Sequence, residues 1–336
     1  MFKKFTLEQI TKDDLETITC TDLGAFNEIS KNDFKNRKIS GIVIMEDRLP
    51  DFFINYQKFE LNQDTTLNRH GPFKFLYTHN HLKNLVQELQ AQNIKVYFGF
   101  WGQIFNPNAK QQLSWLLKHP ELWRLYEQNS KNHDLDPLVT LQPENISFAQ
   151  YIIKQFNKLK QDFNFNGLFL GDGLNGYRLF TDPTQYMDQE QTKKDWTKFY
   201  KTIAKNLKKI DCQLLAYDCL GLPPEQAILH GADYLAQAQA ELDYLIVQTY
   251  PTAWGEKWLK KFPGFDFKSS LNNLKATKQK LDSTNCKVLY TLEMGDSVED
   301  WQAQPKITKK QLKYYRPHAD GKFIVWANDL FYRLLK

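Results

Sequence analysis

The chain has 336 residues, 42% of them hydrophobic, 14% aromatic and 25% charged, values ordinary for a globular protein able to bury a sizeable core. Its formal net charge of +5 is modest, and lysine pairs such as Lys193-Lys194, Lys208-Lys209 and Lys260-Lys261 fall on helix-like stretches as solvated faces, so no nucleic-acid partner is expected. The N-terminal stretch MFKKFTLEQITKDDLE lacks an apolar segment and a small-residue cleavage site, and no run approaches the roughly 18 apolar residues of a membrane span, which predicts a cytoplasmic protein with no membrane partner.

Taken in chain order, short apolar runs alternate with longer helical stretches. Gly41–Met45 is an apolar run followed by Glu46, and His81–Asn93 places Leu82, Leu85, Val86 and Leu89 at helical spacing. A strand is expected over Lys95–Trp101. The segment Gly102–Asn145 follows, rich in Pro, Trp, Asn and His, and too long to be a mere connector; it is expected to cover part of a site. Helix Ile146–Phe163 leads to strand Asn166–Asp172. Helix Lys194–Lys209 then precedes strand Gln213–Tyr217, Pro224–Leu242 precedes Tyr244–Tyr250, and Ser270–Leu281 precedes Lys287–Leu292, with Lys322–Ala327 the last strand.

Apolar runs without polar alternation imply strands covered on both faces, as parallel sheets clad in helices require. Repeated β–α units of this length imply right-handed crossovers. Counting back from the C-terminus gives an α/β fold with a single (β/α)8 barrel over residues 1–336, residues 1–40 leading into it and a long loop after strand three. Gly41–Met45 is one of the first two strands, and either Thr17–Cys20 or Phe73–Tyr77 is the other. A doubly wound sheet would carry a Gly-rich turn after its first strand, and none is present. No internal repeat is evident. Cys20, Cys212, Cys219 and Cys286 form no CxxC pair and the seven histidines no HExxH, so reduced buried thiols are expected, with no metal and no cofactor.

Barrels of this kind work at the C-terminal ends of their strands. Those positions carry Glu46, Asp47 and Arg48; Trp101 and Gln103; Asp172; Tyr217 and Asp218; Gln248 and Tyr250; Glu293 and Asp296; and Trp326, Asn328 and Asp329. One acid at a strand end is as readily a helix cap or structural ion pair as a catalyst, and one aromatic as readily rim packing. Acids at five strand ends of one mouth are harder to explain by packing alone. Carboxylates and amides hydrogen-bond hydroxyls, and flat rings stack on sugar faces, so an oligosaccharide is the expected substrate. Trp101, Trp254, Trp326, Tyr217 and Tyr250 are the candidate platforms, with Glu46, Asp47, Arg48 and Arg178 as further binding groups. Arg48 and Arg178 are equally readable as salt-bridged to neighbouring acids.

The segment Phe165-Asn166-Gly167-Leu168-Phe169-Leu170-Gly171-Asp172-Gly173 resembles barrel glycoside hydrolases, in which a fourth strand of the form F-D-G-apolar-x-apolar-x-D carries a catalytic aspartate. His119–Trp123, Asp136–Leu138, Ile94–Trp101 and Val247–Gly255 add to the likeness. By this resemblance Asp172 is the nucleophile of a retaining enzyme of the dextranase, α-amylase or α-galactosidase type. Asn166 departs from the pattern, standing where those enzymes usually have a structural Asp. The acid/base partner is Glu293, ending strand seven, or Asp218, ending strand five. A chitinase-like D-x-x-D-x-D-x-E can also be laid on residues 166–173, but Gly173 then occupies the acid's place, which implies a non-catalytic sugar-binding barrel. The sequence leaves the sugar, the anomer and the oligomeric state open.

Overall fold

The computed structural model describes residues 15–22, 38–45, 79–100, 148–171, 189–218, 222–228, 232–249, 266–292 and 305–324. Eight strands, each parallel to its neighbours, close into a barrel in the order in which the chain visits them. They are β1 Glu16–Asp22, β2 Gly41–Met45, β3 Lys95–Phe100, β4 Gly167–Leu170, β5 Gln213–Asp218, β6 Tyr244–Val247, β7 Lys287–Leu292 and β8 Gly321–Ile324. Between them run helices α1 His79–Ala91, α2 Phe148–Phe163, α3 Gln189–Lys208, α4 Pro224–Ala227, α5 Tyr234–Gln239, α6 Phe267–Leu281 and α7 Pro305–Tyr314. The (β/α)8 barrel expected from the apolar rhythm is the one observed.

One open choice is settled and two elements differ from expectation. Of the two candidates for an early strand, β1 covers Thr17–Cys20; its outward side chains Thr17 and Thr19 are polar yet wholly buried, so the run lacks the apolar signature of its neighbours. Phe73–Tyr77 lies outside the described residues. The helix expected over Pro224–Leu242 is two short ones, α4 and α5, because Asp233 opens a new helix by accepting the Ala236 N–H at 3.1 Å. Helix α7 was not expected from its lysine-rich, weakly apolar sequence.

The helix-to-strand turns are short and alike. Asn93, Asn164 and Asp211 follow α1, α2 and α3 with φ of 61°, 57° and 52°, the left-handed conformation that ends a helix and that Asn and Asp tolerate. Ile94 and Cys212 then donate back to the Leu89 and Leu207 carbonyls at 3.1 and 3.0 Å, turning the chain directly into β3 and β5.

Side-chain alternation divides the core in two. Ile42, Ile44, Val96, Phe98, Leu168, Leu170, Leu214, Ala216, Leu245 and Val247 face the helices, against rows such as Ile152, Phe156 and Leu159 of α2 and Phe199, Ile203 and Leu207 of α3. The other set fills the barrel: Ile18, Cys20, Val43, Tyr97, Phe169, Leu215, Tyr217, Tyr244, Ile246, Leu289 and Phe323.

Register orders the inner set into layers. Cys20 pairs through Val43, Tyr97 and Gly167 to Gln213, and Tyr217 pairs through Ile246, Leu289 and Gly321 to Glu16. The two paths are offset by four residues on β5 and four on β1, the eight-residue stagger of this fold. At equal height, alternate strands therefore supply four side chains per layer. From the N-terminal end these are Glu16, Lys95, Gln213 and Lys287; Gly41, Gly167, Tyr244 and Gly321; Ile18, Tyr97, Leu215 and Leu289; Val43, Phe169, Ile246 and Phe323; and Cys20, Gly99, Tyr217 and Thr291. Phe169 and Phe323 stack across the fourth layer, ring centroids 5.5 Å apart and planes within 5°.

The N-terminal layer is a polar plug. Lys287 pairs with Glu16 at 2.7 Å, Lys95 donates to Gln213 at 3.0 Å, and the Tyr97 and Tyr244 hydroxyls donate to Gln213 and Glu16 at 2.9 and 2.8 Å. Burial, reinforced by Tyr244 and Glu16 for Tyr97 and by Glu16 for Tyr244, pushes both phenols well above their ordinary range. The glycine layer allows close packing around this plug: a Cβ on Gly41 would lie 2.8 Å from the Tyr97 ring, and one on Gly167 only 2.2 Å from the Gln213 carbonyl oxygen.

A short repeat absent from the linear reading emerges here. Ser40, Asn166, Asp243 and Asp320 each precede an even-numbered strand and bridge to the strand before it. The Ser40 hydroxyl donates to the Thr17 carbonyl at 3.0 Å. Asn166, Asp243 and Asp320 accept the N–H groups of Val96, Leu214 and Val288 at 2.8, 2.7 and 2.8 Å. The unit is a polar residue, then Gly or Tyr, then two residues on an inward-facing apolar side chain, too short to stand out in sequence.

Candidate functional site

The chain leaves the helices and enters the strands on tight turns at the N-terminal face, so the room for a site lies at the opposite mouth, in the layer of Cys20, Gly99, Tyr217 and Thr291 and the positions above it. Next above, on the same register, come Met45, Gly171 and Gln248. Tyr217 and Gln248 thus share the lumen on adjacent strands. Tyr217 is 2% exposed, its ring 6.1 Å from Phe169 and 6.3 Å from Phe323, and it forms floor. Gln248 is buried one level higher.

Asp218, the other described candidate, points elsewhere. Leu214 and Ala216 of β5 face the helices, and Asp218 continues that outward set. Its carboxylate is wholly buried and accepts a short hydrogen bond from the Tyr234 hydroxyl, at the start of α5 and itself part of the sheet–helix core. Tyr217 and Asp218 are neighbours in sequence and sit on opposite faces of β5.

Asn166, the departure from the strand-four pattern, has a clear task. Its Oδ1 accepts from the Val96 N–H at 2.8 Å and from Gln90 Nε2 at 2.9 Å, joining β3, β4 and α1. An aspartate would accept both bonds equally well, so the exchange leaves this junction intact. Asp172 and Glu293 directly follow Gly171 and Leu292, the last described residues of their strand segments. With Glu46, Asp47, Arg48, Trp101, Gln103, Arg178, Tyr250, Trp254, Asp296, Trp326, Asn328 and Asp329, they lie outside the described residues.

A buried polar group near the mouth was not foreseen from sequence. Where the ladder of β6 stops at Val247, the Thr249 N–H donates to the Thr291 hydroxyl and the Thr249 hydroxyl to the Thr291 carbonyl, both at 2.6 Å. Gln311 of α7 donates its amide to the Thr249 carbonyl at 2.6 Å and the Thr291 carbonyl at 3.3 Å. All three residues are 0% exposed. The one signal in the sequence was a polar β-branched residue ending each of two apolar runs; the helix carrying the third was itself unexpected.

Among the described residues no helix is long and apolar enough to cross a membrane. Cys20, Cys212 and Cys286 are buried thiols outside any disulfide. Burial, with Asp243 nearby, pushes Cys286 up to about 12.

The architecture defines the class: a closed parallel (β/α)8 barrel. No protein-family model and no curated protein matches the chain. Among solved structures it is similar in fold to TIM-barrel glycoside hydrolases. The pneumococcal virulence factor StrH, in a structure that concerns N-glycan recognition and hydrolysis, is 12% identical with a TM-score of 0.51, over 96% of this chain and 82% of that one. The C-terminal domain of a chitinase from Desulfitobacterium hafniense DCB-2, described there as putative, is 15% identical with a TM-score of 0.43, over 83% of this chain and 66% of that one. The β-N-acetylhexosaminidase of Bacteroides fragilis NCTC 9343 is 10% identical with a TM-score of 0.47, over 94% and 61%. The chain thus spans less than two thirds of the length of each of the latter two.

Proposed function

We propose that the protein is a retaining glycoside hydrolase acting on an oligosaccharide, with Asp172 as nucleophile and Glu293 as acid/base. The observation that carries this reading is the phase of β5. Of the two candidate partners for Asp172, Asp218 is turned into the sheet–helix layer and bonded to Tyr234, whereas Glu293 continues in sequence the count of the inward-facing Leu289 and Thr291. Asp172 continues the count of the outward-facing Leu168 and Leu170, so its role requires the chain after Gly171 to turn it into the lumen. Burial or a neighbouring carboxylate would raise a glutamate toward the range a general acid needs. In a double displacement two carboxyl groups about 5–5.5 Å apart act in turn: one attacks the anomeric carbon while the other protonates the leaving oxygen, then the second activates water. Tyr217 and Gln248 would form the floor beneath the sugar.

The test is turnover of aryl glycosides and short oligosaccharides. N-acetylglucosaminides come first in the panel, since the pneumococcal neighbour concerns N-glycans. Asp172→Asn and Glu293→Gln are expected to lower kcat by at least about a hundredfold while binding persists. Full activity in both variants would sink the assignment.

A second reading has one observation in its favour. The described lumen-facing positions of β4 are Gly167, Phe169 and Gly171, and none is an acid. A barrel that binds glycans without cleaving them would bind the same ligands with no turnover in the parent protein.

A further inference from the structure

We propose that Gln311 is a positioning residue for the acid/base at the end of β7, a role that rests on the Glu293 assignment. The regular ladder between β6 and β7 ends at the Val247–Tyr290 pair. Beyond it, the two strand ends are held by side chains. Thr249 bonds Thr291 twice at 2.6 Å, and the Gln311 amide spans both carbonyls, at 2.6 Å to Thr249 and 3.3 Å to Thr291. Tyr250 is one residue past the first of these carbonyls and Glu293 two past the second.

The latch is dry and its donor comes from outside the barrel. With Thr249, Thr291 and Gln311 all 0% exposed, water cannot substitute for a missing donor: the Thr249 carbonyl would lose the amide bonded to it at 2.6 Å, while the Thr291 carbonyl keeps the Thr249 hydroxyl. Gln311 sits on α7, which follows β7, so the helix after the strand sets where that strand's end lies relative to β6. A shift of about 1 Å in a group that must meet the glycosidic oxygen costs up to roughly a hundredfold in rate. The lysine-rich outer flank of α3 offers no comparable built site: its side chains are exposed and line an open groove.

Two variants separate positioning from plain stability. Gln311→Met removes the donor at similar volume; Gln311→Glu can donate only while its carboxyl is protonated. The expected result for Gln311→Met is a kcat roughly tenfold to a hundredfold lower, KM within a factor of about two, and faster amide exchange confined to Thr249–Tyr250 and Leu292–Glu293. Amides of the opposite face, such as Val96 and Leu214, should exchange as before. Gln311→Glu should regain kcat toward acid pH, where the parent does not. Unchanged exchange at the two strand ends, or loss of protection throughout the barrel, overturns the proposal whether or not turnover is found. If Gln311→Met behaves as expected in exchange but Glu293→Gln keeps full activity, it is the acid/base assignment that fails.

Discussion

Replacing Asn166 tests whether the strand-four departure is a loss or an equivalent exchange. In Asn166→Leu the Val96 N–H, on a residue with no exposed surface, loses its only described side-chain acceptor, at 2.8 Å. Gln90 suffers less, since its amide also donates to the Asn164 carbonyl at 2.8 Å. One orphaned buried donor costs about 1–3 kcal/mol. Asn166→Asp presents an oxygen at the same place to both donors, so its cost should stay within about 1 kcal/mol, the order of one net hydrogen bond. Urea denaturation at pH 7 should give a clearly lower midpoint for Asn166→Leu, with the slope unchanged, and a midpoint near the parent for Asn166→Asp. If Asp is as damaging as Leu, the site does not simply require an acceptor, and the chain's likeness to enzymes with Asp here becomes weaker. If Leu is tolerated, the β3–β4 bridge contributes nothing and the account of the N-terminal face is wrong.

Asp243 fills the same role as Asn166 with a charge, and burial, only partly offset by the Leu214 N–H and by Lys208 and Lys95, raises its pKa. A raised folded pKa contributes stability below the unfolded value, about 3.9, and loses it as pH rises through the folded one. Asp243→Asn should therefore raise the urea midpoint at pH 7, with the gain vanishing near pH 3; a gain that grows in acid would contradict the sign. Gly167→Ala should destabilise by at least about 1–3 kcal/mol, because its Cβ would meet backbone of Gln213 at 2.2 Å. Gly41→Ala meets a movable Tyr97 ring at 2.8 Å and should cost less by the same denaturation assay. Asp218→Ala should leave kcat within a few-fold and lower stability by about 1–3 kcal/mol, the cost of taking an acceptor away from a buried hydroxyl; a collapse of kcat with stability retained would return Asp218 to the catalytic pair. Iodoacetamide with peptide mapping should leave Cys286 unmodified until the protein is unfolded; labelling of the native state would refute its burial.

The barrel was legible because its strands are buried on both faces. Ile42–Ile44, Leu168–Leu170 and Leu245–Val247 read as unbroken apolar runs, and β1 was ambiguous where Thr17 and Thr19 broke that rule. Helix α7 and the break between α4 and α5 were missed because their signals are local, a single cap at Asp233 or a thin apolar row in a lysine-rich stretch. At the mouth, the strand ends could be located but not their phase. Tyr217 and Asp218 read as equal candidates, and only the pleat separates them, one into the lumen and the other against Tyr234.

That phase carries the wider consequence. In a barrel of stagger eight, each layer takes its lumen residues from alternate strands, so a residue's access to a central ligand depends on its parity within the strand as well as on its height. The N-terminal layers place Tyr97 and Tyr244 in the lumen, with Gly41 leaving room for the Tyr97 ring and Gly167 and Gly321 for close approach of Gln213, Leu289 and Glu16. The mouth layers place Gly99 and Gly171 on one side and Tyr217, Gln248 and Thr291 on the other, so the floor beneath a ligand is lower along β3 and β4 than along β5 to β7. On the function proposed above, a sugar would meet the polar side chains of Tyr217 and Gln248 on the β5–β6 side of this floor.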